Sequence, residues 1–452
     1  MSLQYYDQPE VSIQEHVHIP SDIVHIQPHL RVDKPDTIMR EKVHVTATDL
    51  LPHEHYKMSM NLKHKYGLHK AYAIFKSDAS GSIDLATAKP LRGTYNQPDA
   101  MGLFLSQLPT RNFDFGGYLR CTPPVPFVYE LQLEDASGRV VDTMYIRKHW
   151  MHPRLERTEI EEDGFCATLF KPPGAGPFPT IIDISGTGGG LHEHKGAALA
   201  SEGFVVLCVA FFQYKTLVEK LEDVEMEYFK KTIDWLMAKP YTSDVLGIQG
   251  VSFGATLVDL IATRNPEIKA VVSINGAPCT NMYLRIKEEG KSLKVAEADQ
   301  SNLYFINQVL CSDKFIKSSV STEETRIPFE RCRKDVAFRF VASVDDLVIT
   351  SAHSSQIKAD QLRKTGRDDI EIDYINGGHI MEPPYFPHHD MVYAKFQGFY
   401  CGYGGEVLLH GKAQEESWGR TVDFFKRKLG EPPKMPEWER EDIVQRPSAS
   451  KL

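Results

Sequence analysis

The stretch that most constrains this chain is Gly250–Val251–Ser252–Phe253–Gly254. A strand-like apolar run over 245–249 precedes it, and a helix-like run over 255–264 follows. A G-x-S-x-G pentapeptide in that context predicts a sharp turn that lifts the serine hydroxyl above the end of a sheet. Such a turn is crowded two residues to either side, and glycine has no Cβ to collide. The Phe253 N–H and the start of the helix then offer positive potential to a developing oxyanion. The plainer reading, a glycine-rich turn in any α/β protein, asks nothing more of the chain. The catalytic reading asks for a base, an acid and a second oxyanion donor elsewhere.

From about residue 160 the pattern alternates. Apolar runs at 180–184 and 204–212 and further strand-like runs at 270–274, 336–342 and 370–375 alternate with helical spacing at 217–238, 354–363 and 414–428. That alternation predicts a mostly parallel sheet with helices on both faces, and its chemistry belongs at the carboxyl ends of the strands. Three such ends carry informative residues. Ser252 follows one, Ser343–Val344–Asp345–Asp346 another, and Asn376–Gly377–Gly378–His379 a third. Serine, then aspartate, then histidine is the chain order of an α/β-hydrolase triad. A serine hydroxyl needs a histidine to take its proton, and a buried carboxylate holds that histidine in the right tautomer. His379 stands out among 18 histidines by its glycine turn after a strand; His353, His388 and His389 compete with it. Asp345 and Asp346 are not separated by this argument. The second oxyanion donor is expected near Gly186 and Thr187, in the loop Ser185–Gly186–Thr187–Gly188–Gly189–Gly190. That loop does not fit G-x-G-x-x-G, and no G-K-[ST] follows it, which argues against nucleotide chemistry. The excursion over 280–331 is expected to cap the site.

The 452 residues exceed one ordinary core. The expected layout is an N-terminal antiparallel β-sandwich over 1–155, a catalytic α/β domain over 156–432 and a tail over 433–452. Short alternating stretches at 42–48, 56–62, 69–76, 118–119, 127–133 and 140–147 supply the sandwich strands. A net charge of −9 argues against nucleic acid as a partner. No apolar run reaches membrane-spanning length. Seven cysteines without C-x-x-C spacing read as reduced thiols. His53 and His55 are expected on one strand face, with no Cys, Asp or Glu cluster beside them, so no metal site is expected. Ser450–Lys451–Leu452 reads as a peroxisomal address, recognised by the import receptor.

Several longer stretches resemble one family. They include Ser80–Gly81–Ser82–Ile83–Asp84–Leu85, Asp99–Ala100–Met101–Gly102–Leu103, Gly189–Gly190–Leu191–His192–Glu193 and Ile327–Pro328–Phe329–Glu330–Arg331. The most specific is Gly378–His379–Ile380–Met381–Glu382–Pro383–Pro384–Tyr385. Together they resemble the α/β-hydrolase-type acyl-CoA thioesterases and the related bile acid-CoA:amino acid N-acyltransferases. The resemblance implies an α/β-hydrolase fold behind a sandwich domain, with Ser252 as nucleophile, Asp346 as acid and His379 as base. Ser343 departs from the family's usual glycine before the acid. The implied substrate is a thioester of coenzyme A, which makes coenzyme A part of the substrate and implies no separate cofactor. The transferases typically carry cysteine in the elbow, so serine at 252 implies hydrolysis.

Overall fold

All seven residues of Phe178–Ile184 and all six of Val205–Ala210 are buried, as strands covered on both faces must be. The computed structural model describes residues 27–110, 117–162, 164–282, 285–394 and 398–444. Ser450–Lys451–Leu452 lies outside the described residues. Eight strands form the central sheet: β1 (Glu156–Glu162), β2 (Phe165–Lys171), β3 (Phe178–Ile184), β4 (Val205–Ala210), β5 (Thr242–Val251), β6 (Ile268–Ile274), β7 (Ala337–Ser343) and β8 (Ile370–Ile375). Their order is β1-β2-β4-β3-β5-β6-β7-β8. Only the β1–β2 and β2–β4 pairs are antiparallel. This is the expected α/β-hydrolase sheet.

Five helices flank it: α1 (His194–Ala200), α2 (Met226–Met237), α3 (Phe253–Ala262), α4 (Ser351–Lys364) and α5 (Val407–Leu429). Phe229, Ile233, Leu257, Ile261 and Leu362 place α2, α3 and α4 in one apolar cluster. Ala197, Leu199, Val422, Phe424 and Phe425 place α1 and α5 in the other. The single helix expected over 217–238 is shorter, with a separate 3-10 turn at Leu221–Asp223 before α2. Glu225, between them, is extended at ψ 143 and breaks the period.

The N-terminal part holds a three-stranded sheet and a seven-stranded sheet. Alternate side chains of both, such as Val45, Ala47 and Ile83 against Met58, Met60 and Leu131, share one core. That is the packing of a sandwich. Its long strands are His55–His64, Gly67–Lys76, Phe127–Glu134 and Val140–His149. Two local expectations fail. Residues 117–120 form no strand. His53 sits at φ 61 in the turn before the strand that His55 opens, so the two imidazoles do not share a strand face. Residues 433–444 fold back onto the body: the Pro436 carbonyl lies 2.9 Å from His152 Nε2, and Arg154 pairs with Asp442 at 2.8 Å.

One ion pair is sealed in the core. Lys358 Nζ, on α4, donates to Asp259 Oδ2 on α3 at 2.9 Å and to Ser273 Oγ on β6 at 2.8 Å, with both charged side chains at 0% exposure. Removing one partner strands a charge in a low-dielectric interior. Lys358→Met is therefore expected to lower unfolding free energy by about 3–5 kcal/mol. Adding Asp259→Leu should recover most of that loss in urea titrations.

Candidate active site

β5 ends at Val251 and α3 begins at Phe253, leaving Ser252 alone in the turn at φ 61, ψ −123. A non-glycine residue held there stores about 1–3 kcal/mol of strain, which only a well-packed surround maintains. The Ser252 N–H donates to Ile274 O on β6 at 2.8 Å and fixes one side of the turn. A Cβ at position 250 would lie 2.3 Å from the Gly254 carbonyl oxygen. One at position 254 would lie 2.3 Å from the Ser185 carbonyl oxygen. Both flanking glycines are thus sterically required, and the second brings the loop after β3 against α3.

The structure brings the three expected residues together. Ser252 Oγ lies 2.7 Å from His379 Nε2, and His379 Nδ1 lies 2.9 Å from Asp346 Oδ2. The His379 and Asp346 side chains are 2% and 1% exposed. Asp346 is fully occupied as an acceptor. Its Oδ1 takes the Val348 and Ile349 N–H groups at 2.8 and 3.0 Å, and its Oδ2 also takes the Ser351 hydroxyl at 2.5 Å. A carboxylate so placed holds the proton of His379 on Nδ1 and leaves Nε2 as the acceptor for the serine. Asp345 faces away: its Oδ2 accepts the Gly405 N–H at 3.0 Å, and its side chain is exposed. The competing histidines lie elsewhere. His353 is exposed on α4. His388 Nε2 is 3.0 Å from Gly405 O, and His389 Nδ1 is 2.8 Å from Pro387 O. Burial lowers both of their pKa values to about 4, so they are neutral near pH 7.

The residues expected to form the oxyanion hole surround Ser252. A Cβ on Gly186 would lie 3.3 Å from Ser252 Cβ and 3.8 Å from its Oγ. Thr187 lines the same cavity, and Phe253 contributes one of the unpaired N–H groups that open a helix. The cavity encloses about 1310 Å3. Met282, Leu310 and Ile316, from the excursion over 280–331, line it together with Tyr393 and Tyr400. Those two segments are knitted into one four-stranded sheet, since Val309–Cys311 runs parallel to Phe399–Gly402. The excursion thus covers the strand ends, as expected of a cap.

Sequence reasoning missed the groups that hold this arrangement. Asn275, at φ 53, donates from Nδ2 to His379 O at 2.7 Å and to Ser343 Oγ at 3.0 Å, while its Oδ1 accepts the Ser343 N–H at 2.8 Å. The serine that departs from the family's glycine therefore has a partner of its own. Glu382 is 4% exposed and meets three groups from distant segments. Its Oε2 lies 2.9 Å from His194 Nε2 and 3.4 Å from Lys195 Nζ, and its Oε1 accepts the Tyr118 hydroxyl. Burial alone would raise the pKa of this carboxyl. Lys195, His194 and the Tyr118 hydroxyl outweigh burial and hold it well below the usual carboxylate range. Glu382 lies three residues after the base, His194 and Lys195 open the helix after the oxyanion loop, and Tyr118 belongs to the N-terminal part. One charge thus ties three pieces of the site. No spacing rule could have found it, because its partners meet only in the fold.

Residues 40–162 match the family described as acyl-CoA thioester hydrolase/BAAT N-terminal region, and residues 224–431 match BAAT/acyl-CoA thioester hydrolase C terminal. The chain is 30% identical over 405 residues to a peroxisomal succinyl-coenzyme A thioesterase of Mus musculus, spanning 86% of this chain and 94% of the relative. An acyl-coenzyme A thioesterase 1 of Rattus norvegicus matches with the same identity and coverage. An acyl-coenzyme A amino acid N-acyltransferase 1 of Mus musculus is 30% identical over 409 residues, 87% of this chain and 96% of the relative. With both halves matched and nearly the whole length of these relatives spanned, the chain belongs to the acyl-CoA thioester hydrolase/BAAT family.

Proposed function

We propose that this protein hydrolyses fatty acyl-CoA to free fatty acid and coenzyme A, with Ser252 as nucleophile, His379 as base and Asp346 as acid. The observation that carries the reading is the relay from Ser252 to the buried His379 and Asp346, at 2.7 and 2.9 Å. Ser252 Oγ attacks the thioester carbonyl as its proton passes to His379 Nε2. The carbonyl oxygen becomes an oxyanion facing the Phe253 N–H and the loop N–H groups at Gly186 and Thr187; each such donor contributes about 3 kcal/mol. Collapse breaks the C–S bond, and the departing sulfur takes the proton from His379. Water then attacks the acyl-serine ester, gives its proton to His379 and releases the fatty acid, and Ser252 recovers its proton. Asp346 offsets the charge on the imidazolium.

The serine supports water as the acceptor. A thioester acyl-enzyme on cysteine favours attack by an amine, and an oxygen ester gives up part of that preference. The N-acyltransferase among the relatives keeps a second reading open, transfer of the acyl group to glycine or taurine. A peroxisomal relative and the tripeptide Ser450–Lys451–Leu452 support a peroxisomal place of action through the import receptor.

Ser252→Ala is expected to abolish thiol release from acyl-CoA, a fall of about 10^4-fold or more. Asp346→Asn should lower kcat by about 10^3–10^4-fold by favouring the wrong imidazole tautomer. Normal turnover in either variant sinks the triad assignment. With glycine or taurine added, the wild-type enzyme should still yield free acid; a predominantly amide product establishes the transferase reading instead. Glu382→Gln should reduce kcat about 10-fold or more with KM little changed, since it loosens the base and oxyanion loops together.

A further inference from the structure

The cavity wall carries a cation that the proposed hydrolysis does not use. Arg120 lies in the irregular segment that the N-terminal part sends against the oxyanion loop. Tyr118 of that segment bonds Glu382, and the Leu119 N–H donates to His389 Nε2 at 3.2 Å. The Arg120 carbonyl lies 3.0 Å from His64 Nε2. The backbone here is therefore held from several sides. The guanidinium donates from Nη2 to the Gly188 carbonyl at 2.8 Å, and its Nη1 lies 3.1 Å from where a Cβ on Gly190 would sit.

A guanidinium has five N–H donors, and only one of these has an acceptor among the described residues. The side chain is exposed, yet no carboxylate pairs with it among the described residues. Lys195 and Lys220 line the same cavity, but they face Glu382 at 3.4 Å and Glu222 at 3.9 Å; Arg285 lines it as well, from the segment over 280–331. The walls also differ in character. Met282, Ile316, Val348 and Ile349 form an apolar cluster on the cap side. Arg120 stands apart from them, beside Gly188, two residues along the loop from Gly186. An acyl chain suits the apolar wall, and an anionic group suits the arginine, which is preorganised for phosphate or carboxylate.

We propose that Arg120 is an anion subsite that takes an oxyanion of the substrate remote from the thioester, either a phosphate of the coenzyme A portion or a carboxylate at the far end of the acyl group. This rests on the thioesterase reading. Arg120 thereby lets the N-terminal part select substrate for a triad it does not contain.

The test compares Arg120→Ala and Arg120→Lys with the wild type on decanoyl-CoA, decanoyl-pantetheine and succinyl-CoA. Removing a charged hydrogen-bond donor should raise KM about 10-fold or more for the substrate whose anion it holds. A loss on decanoyl-CoA far exceeding that on decanoyl-pantetheine assigns the coenzyme A phosphates. A loss confined to succinyl-CoA assigns the acyl carboxylate. Arg120→Lys should recover part of either loss. An equal fall in kcat on all three substrates with KM unchanged reduces Arg120 to a brace for Gly188 and overturns the subsite, as does no change at all. Calorimetric titration of decanoyl-CoA and succinyl-CoA into Ser252→Ala protein reads the same subsite without turnover. There, Arg120→Ala should weaken at least one of them about 10-fold, and unchanged affinity for both overturns the proposal. A wild-type enzyme that releases no thiol but binds these esters through Arg120 would separate failure of the thioesterase reading from failure of the subsite.

Discussion

Where Gly254 meets Ser185, two stretches of main chain approach so closely that a single Cβ would sit 2.3 Å from a carbonyl oxygen. The loop after β3 and the first turn of α3 are consequently pressed together, and Ser252 is held between them at φ 61. The oxyanion loop and the start of α3 take their positions from that crossing. The loop residues Gly186 and Thr187 are delivered beside the hydroxyl, and Phe253 starts the helix there. The register of β5 against β6, with Val251 opposite Ile274, fixes the height of the turn above the sheet. Strain of this kind persists only in a rigid surround. All ten residues of α3 are buried.

How much of this could be read from the chain follows from where the interactions lie in sequence. The α/β alternation was legible because a strand buried on both faces is a continuous apolar run and a flanking helix has a 3.6-residue period. The alternating run over 370–375 matches Ile370–Ile375 residue for residue, as a partly buried strand at the sheet edge. Ser252, Asp346 and His379 were legible as strand-end residues in a recognisable order. Choosing Asp346 over Asp345 was not possible from spacing alone, since one residue reverses the side-chain direction. The structure separates them by partner: His379 for one, the Gly405 N–H for the other. Segment 117–120 misled because Tyr118 and Leu119 look like strand residues. Their polar groups instead meet Glu382 and His389, more than 260 residues away in the chain.

Charge is buried here in several places, each joining separate elements. Lys358 and Asp259 fasten α4 to α3. Arg339 on β7 reaches Asp373 on β8 at 2.5 Å, with side-chain exposures of 3% and 7%. Glu382 gathers the base loop, α1 and the N-terminal part. A buried pair of this sort is weak evidence for stability, because desolvation offsets much of the attraction. Its geometric demand is strict, however, and around Glu382 that demand falls on the loops that need accurate placement.

Much of the cavity wall is supplied by segments that contribute nothing to the triad. One face comes from the N-terminal part through 117–120, and another from a small sheet knitted from 309–311 and 399–402. On the proposed reading, cutting and choosing are largely written in different stretches of the chain. Such a division permits drift in what the enzyme admits while the bond-breaking apparatus stays fixed. It also means that kinship read from the triad predicts the reaction far better than it predicts the molecule being cleaved.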